Sequence, residues 1–484
     1  MAAIGSLVVD EMAALLVDFT AAVSTRLAVE AREAAERVLL DTFAVALGAL
    51  RHPAAQAARR YAYRFPLEPG ARLWGTGFTT SPETAALANG VPVRAYDYND
   101  LYMGRRSGGH PSDMVAGMVA AAEWADADGA RLLGALALGY EVALGLMDTL
   151  PVGLKGWDYA NLTAIAATCG IARLLELDPD RTREALAITV VPHAASDEIE
   201  SGELNRRGDL TMWKRFNGSD AMRQSVYACL LAAAGVEGAV RPFTGRLGFL
   251  NRMQVDDDPL PELRRLLDPG RPLRRIGETT FKRWPVGSRA QSAVQAALAA
   301  RAQVTDVRSI RAVRVFTDEA AYRHLVGVRD DPWHPISRET ADHSLPYIVA
   351  AAVLEGRLHA DSFAPARVRD PERRRFLEER VVVEPRPELS RGAAEGFPTR
   401  VEIETADGRV AIGEATPPPG HPRNPFTHRD LEAKLHENAD ALLGEERVEA
   451  LVAAIRGLES GDVRSLTALM QVGAGTEIDG APAE

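Results

Sequence analysis

Apolar positions recur at helical spacing through the first half of the chain. Leu39, Phe43, Ala46, Leu47 and Leu50 follow this period, as do Leu132, Leu136, Leu138, Val142 and Leu146. Segments 164–177 and 219–235 are rich in Ala and Leu, the composition of helices that pack closely. Turn residues around Asp268-Pro269-Gly270 close this block. The pattern then changes. Val313 and Val315 lie in a β-like stretch, Val381 to Val383 is a strand candidate closed by Pro385, and residues 401–405 alternate strictly. Asp407-Gly408 predicts a hairpin turn into 410–412. Helical segments 288–302 and 345–358 interleave with these strands. Thr416-Pro417-Pro418-Pro419-Gly420 reads as a stiff linker, after which 429–458 is helical and returns to the first domain. The predicted fold is mainly α: a large all-helical domain from 1–268 and 420–484, and a smaller α+β domain over 269–419.

The length of 484 residues supports two domains, and 46% hydrophobic with 25% charged residues is ordinary for a globular protein. The net charge of −11 argues against a nucleic-acid partner but leaves an anionic small substrate open. Two cysteines, Cys169 and Cys229, cannot supply the thiolates of an iron–sulfur cluster. No basic-then-apolar leader opens the chain, and no run of 18 uncharged apolar residues exists. The expectation is a cytoplasmic protein with no membrane partner.

Candidate chemistry concentrates in Tyr96-Asp97-Tyr98-Asn99-Asp100 and Gly109-His110-Pro111-Ser112-Asp113. The second motif precedes an apolar helix-forming run, which places His110 at a helix N-terminus, where imidazolium is disfavoured and anions are attracted. A neutral imidazole beside an anion site suits proton abstraction from a carboxylate substrate. A capping loop with a surface histidine is the structural alternative. Lys214 lies just ahead of another helix start, a repulsive placement unless an anion bridges the two. Lys282 and Arg283 form a second cationic loop, and cations on two domains suggest a clamp at their interface. In 337–347, Asp342-His343 reads either as an Asp–His pair or as a helix-cap network; the cap network is favoured. No GxGxxG, P-loop, GxSxG, HExxH or paired CxxC is present.

Together these segments, with 40–48, Asn89-Gly90, Gly139-Tyr140-Glu141, Trp157-Asp158, 212–224 and 339–347, are collinear with the MmgE/PrpD family of 2-methylcitrate dehydratases and cis-aconitate decarboxylases, which the chain resembles. The resemblance implies a homodimer whose active site lies between the helical domain and an α+β lid. Asp97, His110, Lys214 and Lys282 match the family's catalytic-site positions, and Asp100, Leu101, Trp157 and Arg289 fall at positions expected to contact substrate. Departures stand out. Leu101 replaces a threonine, Trp157 lies near a histidine of the decarboxylase branch, and Gly287 stands where a lid histidine is expected.

The resemblance implies a cofactor-independent, metal-independent lyase acting on a di- or tricarboxylate such as 2-methylcitrate, by dehydration or decarboxylation. The lysines would hold carboxylates and His110, oriented by Asp97, would move the proton. A repurposed member acting on a less polar acid is the alternative that Leu101 and Trp157 favour; a non-catalytic binding protein is the other.

Overall fold

The computed structural model describes residues 9–200, 211–329, 331–415, 417–473 and 478. Thr416, first residue of the expected linker, lies outside them.

The protein is mainly α, with a large helical domain and a smaller α+β domain. Helices α1 (Val29–Gly48), α2 (Pro82–Ala95), α3 (Asp113–Trp124), α4 (Gly129–Thr149), α5 (Ala160–Leu174) and α6 (Asn217–Ala233) build the first core. Leu39, Phe43, Leu136, Leu146, Ile165 and Met222 are all buried in it. Each such side chain, fully buried, contributes about 1.5–3 kcal/mol. Helix α4 is long and apolar enough to span a bilayer by length and composition, yet most of it is buried among its neighbours. Its start is fixed by Asp128, whose carboxylate accepts from the Arg131 amide at 2.9 Å. Both cysteines are buried, and burial raises the Cys169 thiol to about 11.

The second core begins at Trp284, three residues past Phe281 of the first. Its sheet has strands β1 (Ile310–Thr317), β2 (Val381–Pro385), β3 (Thr399–Thr405) and β4 (Val410–Ala415) in the order β2-β1-β3-β4. The β1–β2 pair is parallel; the other two are antiparallel. The β3–β4 turn carries Gly408 at φ +80°, a conformation glycine adopts without steric cost. Helices α7 (Gln291–Arg301) and α8 (Leu345–Glu355) cover the sheet's inner side. Ser344 caps α8 by accepting from the Tyr347 amide, and Pro346 occupies its first turn.

The chain then returns. Helices α9 (His428–Leu443) and α10 (Glu445–Arg456) pack on α1, and Leu431, Leu435, Val448 and Leu451 belong to the first core.

Within the helical block the structure adds short strands that helical periodicity does not predict. Pro66–Arg72 pairs with Thr79–Thr80, and Tyr102–Met103 pairs with Gly108–Gly109. The second pair folds the two acidic motifs face to face. Its register, Tyr102 opposite Gly109, demands a glycine: a Cβ at 109 would lie 2.4 Å from the Tyr159 ring. A two-residue ladder this short carries no periodic signal.

Candidate active site

Asp97 stands just past the end of α2, in a left-handed conformation at φ +47°. Asp tolerates this region better than most residues, and such strain concentrates at functional sites. Its Oδ1 lies 2.9 Å from Lys282 Nζ, 3.3 Å from Arg94 Nη1 and 3.7 Å from His110 Nε2. Its Oδ2 lies 3.7 Å from His343 Nε2. One carboxylate therefore has a histidine nitrogen near each oxygen and two cations on one of them. Burial pushes its carboxyl up, but Lys282 and Arg94 outweigh this and hold it well below the usual range.

His110 sits three residues before α3. Its Nδ1 is 2.5 Å from the Asp100 carbonyl oxygen. A carbonyl only accepts, so Nδ1 carries the proton and Nε2 holds the free lone pair. Burial first, then Arg94 and Lys282, push the imidazolium well down, so the ring is neutral at pH 7. The orienting group is thus the Asp100 backbone, whereas the motif reading gave that role to Asp97. Asp97 faces the reactive nitrogen instead, where it can stabilise the imidazolium once a proton arrives.

The supporting contacts form a chain. Arg94 donates to Asn99 Oδ1 at 3.0 Å, Asn99 donates to Ser112 Oγ at 2.9 Å, and Tyr159 OH donates to Asp113 Oδ2 at 2.8 Å. Lys434, on α9, donates to Asp41 Oδ1 at 2.6 Å, to the Tyr98 carbonyl at 3.0 Å and to the Lys282 carbonyl at 2.9 Å. A buried ammonium from the far end of the chain thereby pins both loops that carry Asp97 and Lys282. Burial lowers Lys282 itself to about 8, against the pull of Asp97.

The site opens on a cavity of about 490 Å³ between the domains, within the usual range for a small-molecule site. Asp97, Leu101, His110, Lys214, Lys282 and Arg289 all reach it. Lys214 lies in the 3-10 turn Met212–Arg215 that leads into α6, and it is buried. Arg289 packs its guanidinium over the Phe397 ring at 5.5 Å. Leu101 is held by paired backbone bonds to Thr280, both 2.8 Å.

Two expected substrate contacts fall elsewhere. Asp100 is fully buried, its carboxylate accepting from the Ser112 amide at 2.9 Å and from Tyr140 OH at 2.8 Å. Burial raises it to about 7. The side chain turns inward because those two donors lie behind the motif, away from the cavity. Trp157 packs on the first core and bridges through its backbone to Ser196; its successors Asp158 and Tyr159 line the cavity.

Motif reading also passed over Arg94, Tyr159, His324 and Arg329, which line the cavity, and it assigned His343, another lining residue, to a cap network. Arg94 is detectable as a cation three residues before Asp97 at a helix end. His343 carries the Asp–His signal that the cap reading set aside, and it does both jobs: Ser344 caps α8 while His343 faces the cavity. Gly287, in place of the expected lid histidine, leaves the His343 ring uncovered; a Cβ there would meet its Cδ2 at 3.4 Å. Among the described residues, no three His, Cys, Asp or Glu side chains are grouped to hold a metal ion.

Residues 14–261 match the family model described as the MmgE/PrpD N-terminal domain, and residues 284–459 match the MmgE/PrpD C-terminal domain. The cis-aconitate decarboxylase of Homo sapiens is 24% identical over 452 residues, covering 90% of this chain and 89% of that protein. The 2-methylcitrate dehydratase of Cupriavidus necator is 26% identical over 410 residues, covering 78% and 79%. That of Escherichia coli K12 is 26% identical over 354 residues, covering 69% of each.

Proposed function

We propose that this chain, which belongs to the MmgE/PrpD family, is an acid–base lyase for a di- or tricarboxylate, dehydrating it without a metal or other cofactor. The carrying observation is the neutral His110 with its Nε2 aimed at the cavity, beside an ionised Asp97 and a ring of cations. Relatives named as 2-methylcitrate dehydratase and cis-aconitate decarboxylase support the substrate class.

Lys214 and Arg289 would seat substrate carboxylates. His110 Nε2 would take the proton on the carbon next to one of them, and the cations would offset the charge of the aci-carboxylate as it develops. Asp97 stabilises the imidazolium so formed. Leu101, Met103, Ile199 and Val328 supply apolar lining, which supports an acid bearing an alkyl group over a fully polar tricarboxylate.

Turnover of a panel of di- and tricarboxylates and their alkylated analogues, with thermal shifts on the same panel, tests this. At least one acid should be consumed, and His110→Gln should lose about 10²–10⁴-fold in turnover while still folded. Failure on the whole panel, or activity abolished by EDTA and restored by a divalent ion, would refute it.

A further inference from the structure

We propose that His343 is the site's second proton-handling group, a lid-borne general acid facing the base His110, with Asp342 as its positioning residue. The inference rests on the lyase reading above and concerns how the leaving group departs.

The two histidines are held differently, and the difference assigns their roles. His110 Nδ1 bonds a neutral peptide carbonyl, and its surroundings include Arg94 and Lys282. His343 Nδ1 lies 2.5 Å from the carboxylate Oδ1 of Asp342. A carboxylate at that nitrogen favours the protonated ring, as in other triad-like arrangements. Its Nε2 looks toward the cavity and lies 3.7 Å from Asp97 Oδ2, a second carboxylate. Burial first, then the charge of Lys214, outweigh the two carboxylates and hold the ring below its ordinary value in the empty site. A substrate carboxylate seated on Lys214 offsets that second effect and adds a negative charge near the ring, so substrate binding favours the protonated His343.

Asp342 is also tied across the domain boundary. Its Oδ2 is 3.3 Å from Arg215 Nη2 on the helical domain, and both side chains are fully buried. Its backbone carbonyl accepts from the Gly287 amide at 3.1 Å. The dyad is thereby fixed to the same loop that leaves the His343 ring open.

The step balances as a dehydration. His110 Nε2 takes the proton from the carbon next to a carboxylate. The C–H pair becomes the second bond of the alkene, and the C–O bond to the neighbouring carbon breaks. The departing oxygen takes the proton from His343 Nε2 and leaves as water. His110 ends protonated and His343 neutral; exchange with solvent resets both.

The experiment follows two signals in D2O with the acid that the wild-type chain consumes: net turnover, and deuterium entering the substrate at the carbon that His110 deprotonates. His343→Gln should lose about 10²–10⁴-fold in turnover, the scale of a lost general acid, yet retain deuterium exchange. His110→Gln should lose both. Asp342→Asn should lower kcat with little change in KM and shift the alkaline limb of the kcat profile to lower pH, because the protonated His343 loses its carboxylate partner. Where His343→Gln does not fold, Gly287→Leu blocks the same ring from the cavity side and should likewise lose turnover and keep exchange. Wild-type turnover by His343→Gln, or loss of exchange together with turnover in a folded His343→Gln or Gly287→Leu chain, would overturn the proposal while leaving the lyase reading in place. A wild-type chain inert toward every acid would remove that reading, and this one with it.

Discussion

Lys282 grips Asp97 twice, with its Nζ 2.9 Å from the carboxylate Oδ1 and 2.7 Å from the backbone carbonyl of the same residue. The ammonium thus locks both the side chain and the left-handed backbone of the residue beside His110. It is also a charge that can be lost: burial lowers Lys282 to about 8, with Arg94 adding to the fall and Asp97 and Asp342 opposing it. The ammonium is present below that value and disappears above it. The kcat/KM profile should therefore fall above pH of about 8. On His110's account it should hold down past 6.5, because the neutral base survives there. Lys282→Arg, with a cation that does not deprotonate, should remove the part of the alkaline fall that Lys282 contributes and leave that of His343. A wild-type profile flat through alkaline pH would contradict this assignment.

Asp100 predicts a pH-dependent stability. Its carboxyl stands at about 7 in the folded chain, against an ordinary 3.8, so between these values the folded state holds a proton that the unfolded state has released. Stability therefore falls as pH rises through that window, by up to about 4 kcal/mol at roughly 1.4 kcal/mol per pH unit. Asp100→Asn keeps an acceptor for the Ser112 amide and cannot ionise. Denaturant titrations from pH 5 to 8 should show a flatter dependence for the variant and a gain in its stability at the alkaline end. Parallel curves for the two chains would count against it.

Removing Lys434 should cost more than an ordinary surface charge. Asp41 is fully buried and pairs with it at 2.6 Å. Lys434→Met strands that carboxylate, for which a loss of about 3–5 kcal/mol is expected. Adding Asp41→Asn should recover part of it. Equilibrium unfolding of the single and double variants reads both numbers; equal stability of Lys434→Met and wild type would mean the pair carries little weight.

Leu101 predicts selectivity. A buried leucine cannot satisfy a hydroxyl or carboxylate, and leaving one unpaired costs about 1–3 kcal/mol. Citrate-like tricarboxylates should be poor substrates, and Leu101→Thr should move preference toward 2-methylcitrate or cis-aconitate by roughly 5–100-fold in kcat/KM. Wild-type kcat/KM on 2-methylcitrate of about 10⁴ M⁻¹s⁻¹ or more would be ordinary enzyme performance and would contradict it.

Much of the architecture is legible because helical and alternating periods are strong local signals: residues 401–412 read directly as a hairpin, which the structure extends to the β3–β4 pair. Four titratable positions, Asp97, His110, Lys214 and Lys282, are legible because they stand in polar turn motifs between apolar runs, and all four line the cavity. Direction is not. Whether Asp100 points into the cavity depends on Tyr140, forty residues away, and no spacing rule connects them. The same holds for His110, whose orienting partner is a backbone carbonyl, a group every residue carries. His343 shows a further difficulty: a helix-start motif is complete without it, so the cap explanation absorbs a residue that the fold sends elsewhere.

The contacts of Lys434 have a consequence for the order in which the molecule comes to life. Every residue that lines the cavity precedes position 416 and leaves the ribosome before Lys434 does. Until α9 emerges, the carbonyls of Tyr98 and Lys282 lack the ammonium that bridges them. A growing chain can thus display its acids, bases and cations and still lack the bolt that aligns them, so chemistry waits for synthesis of the returning helix.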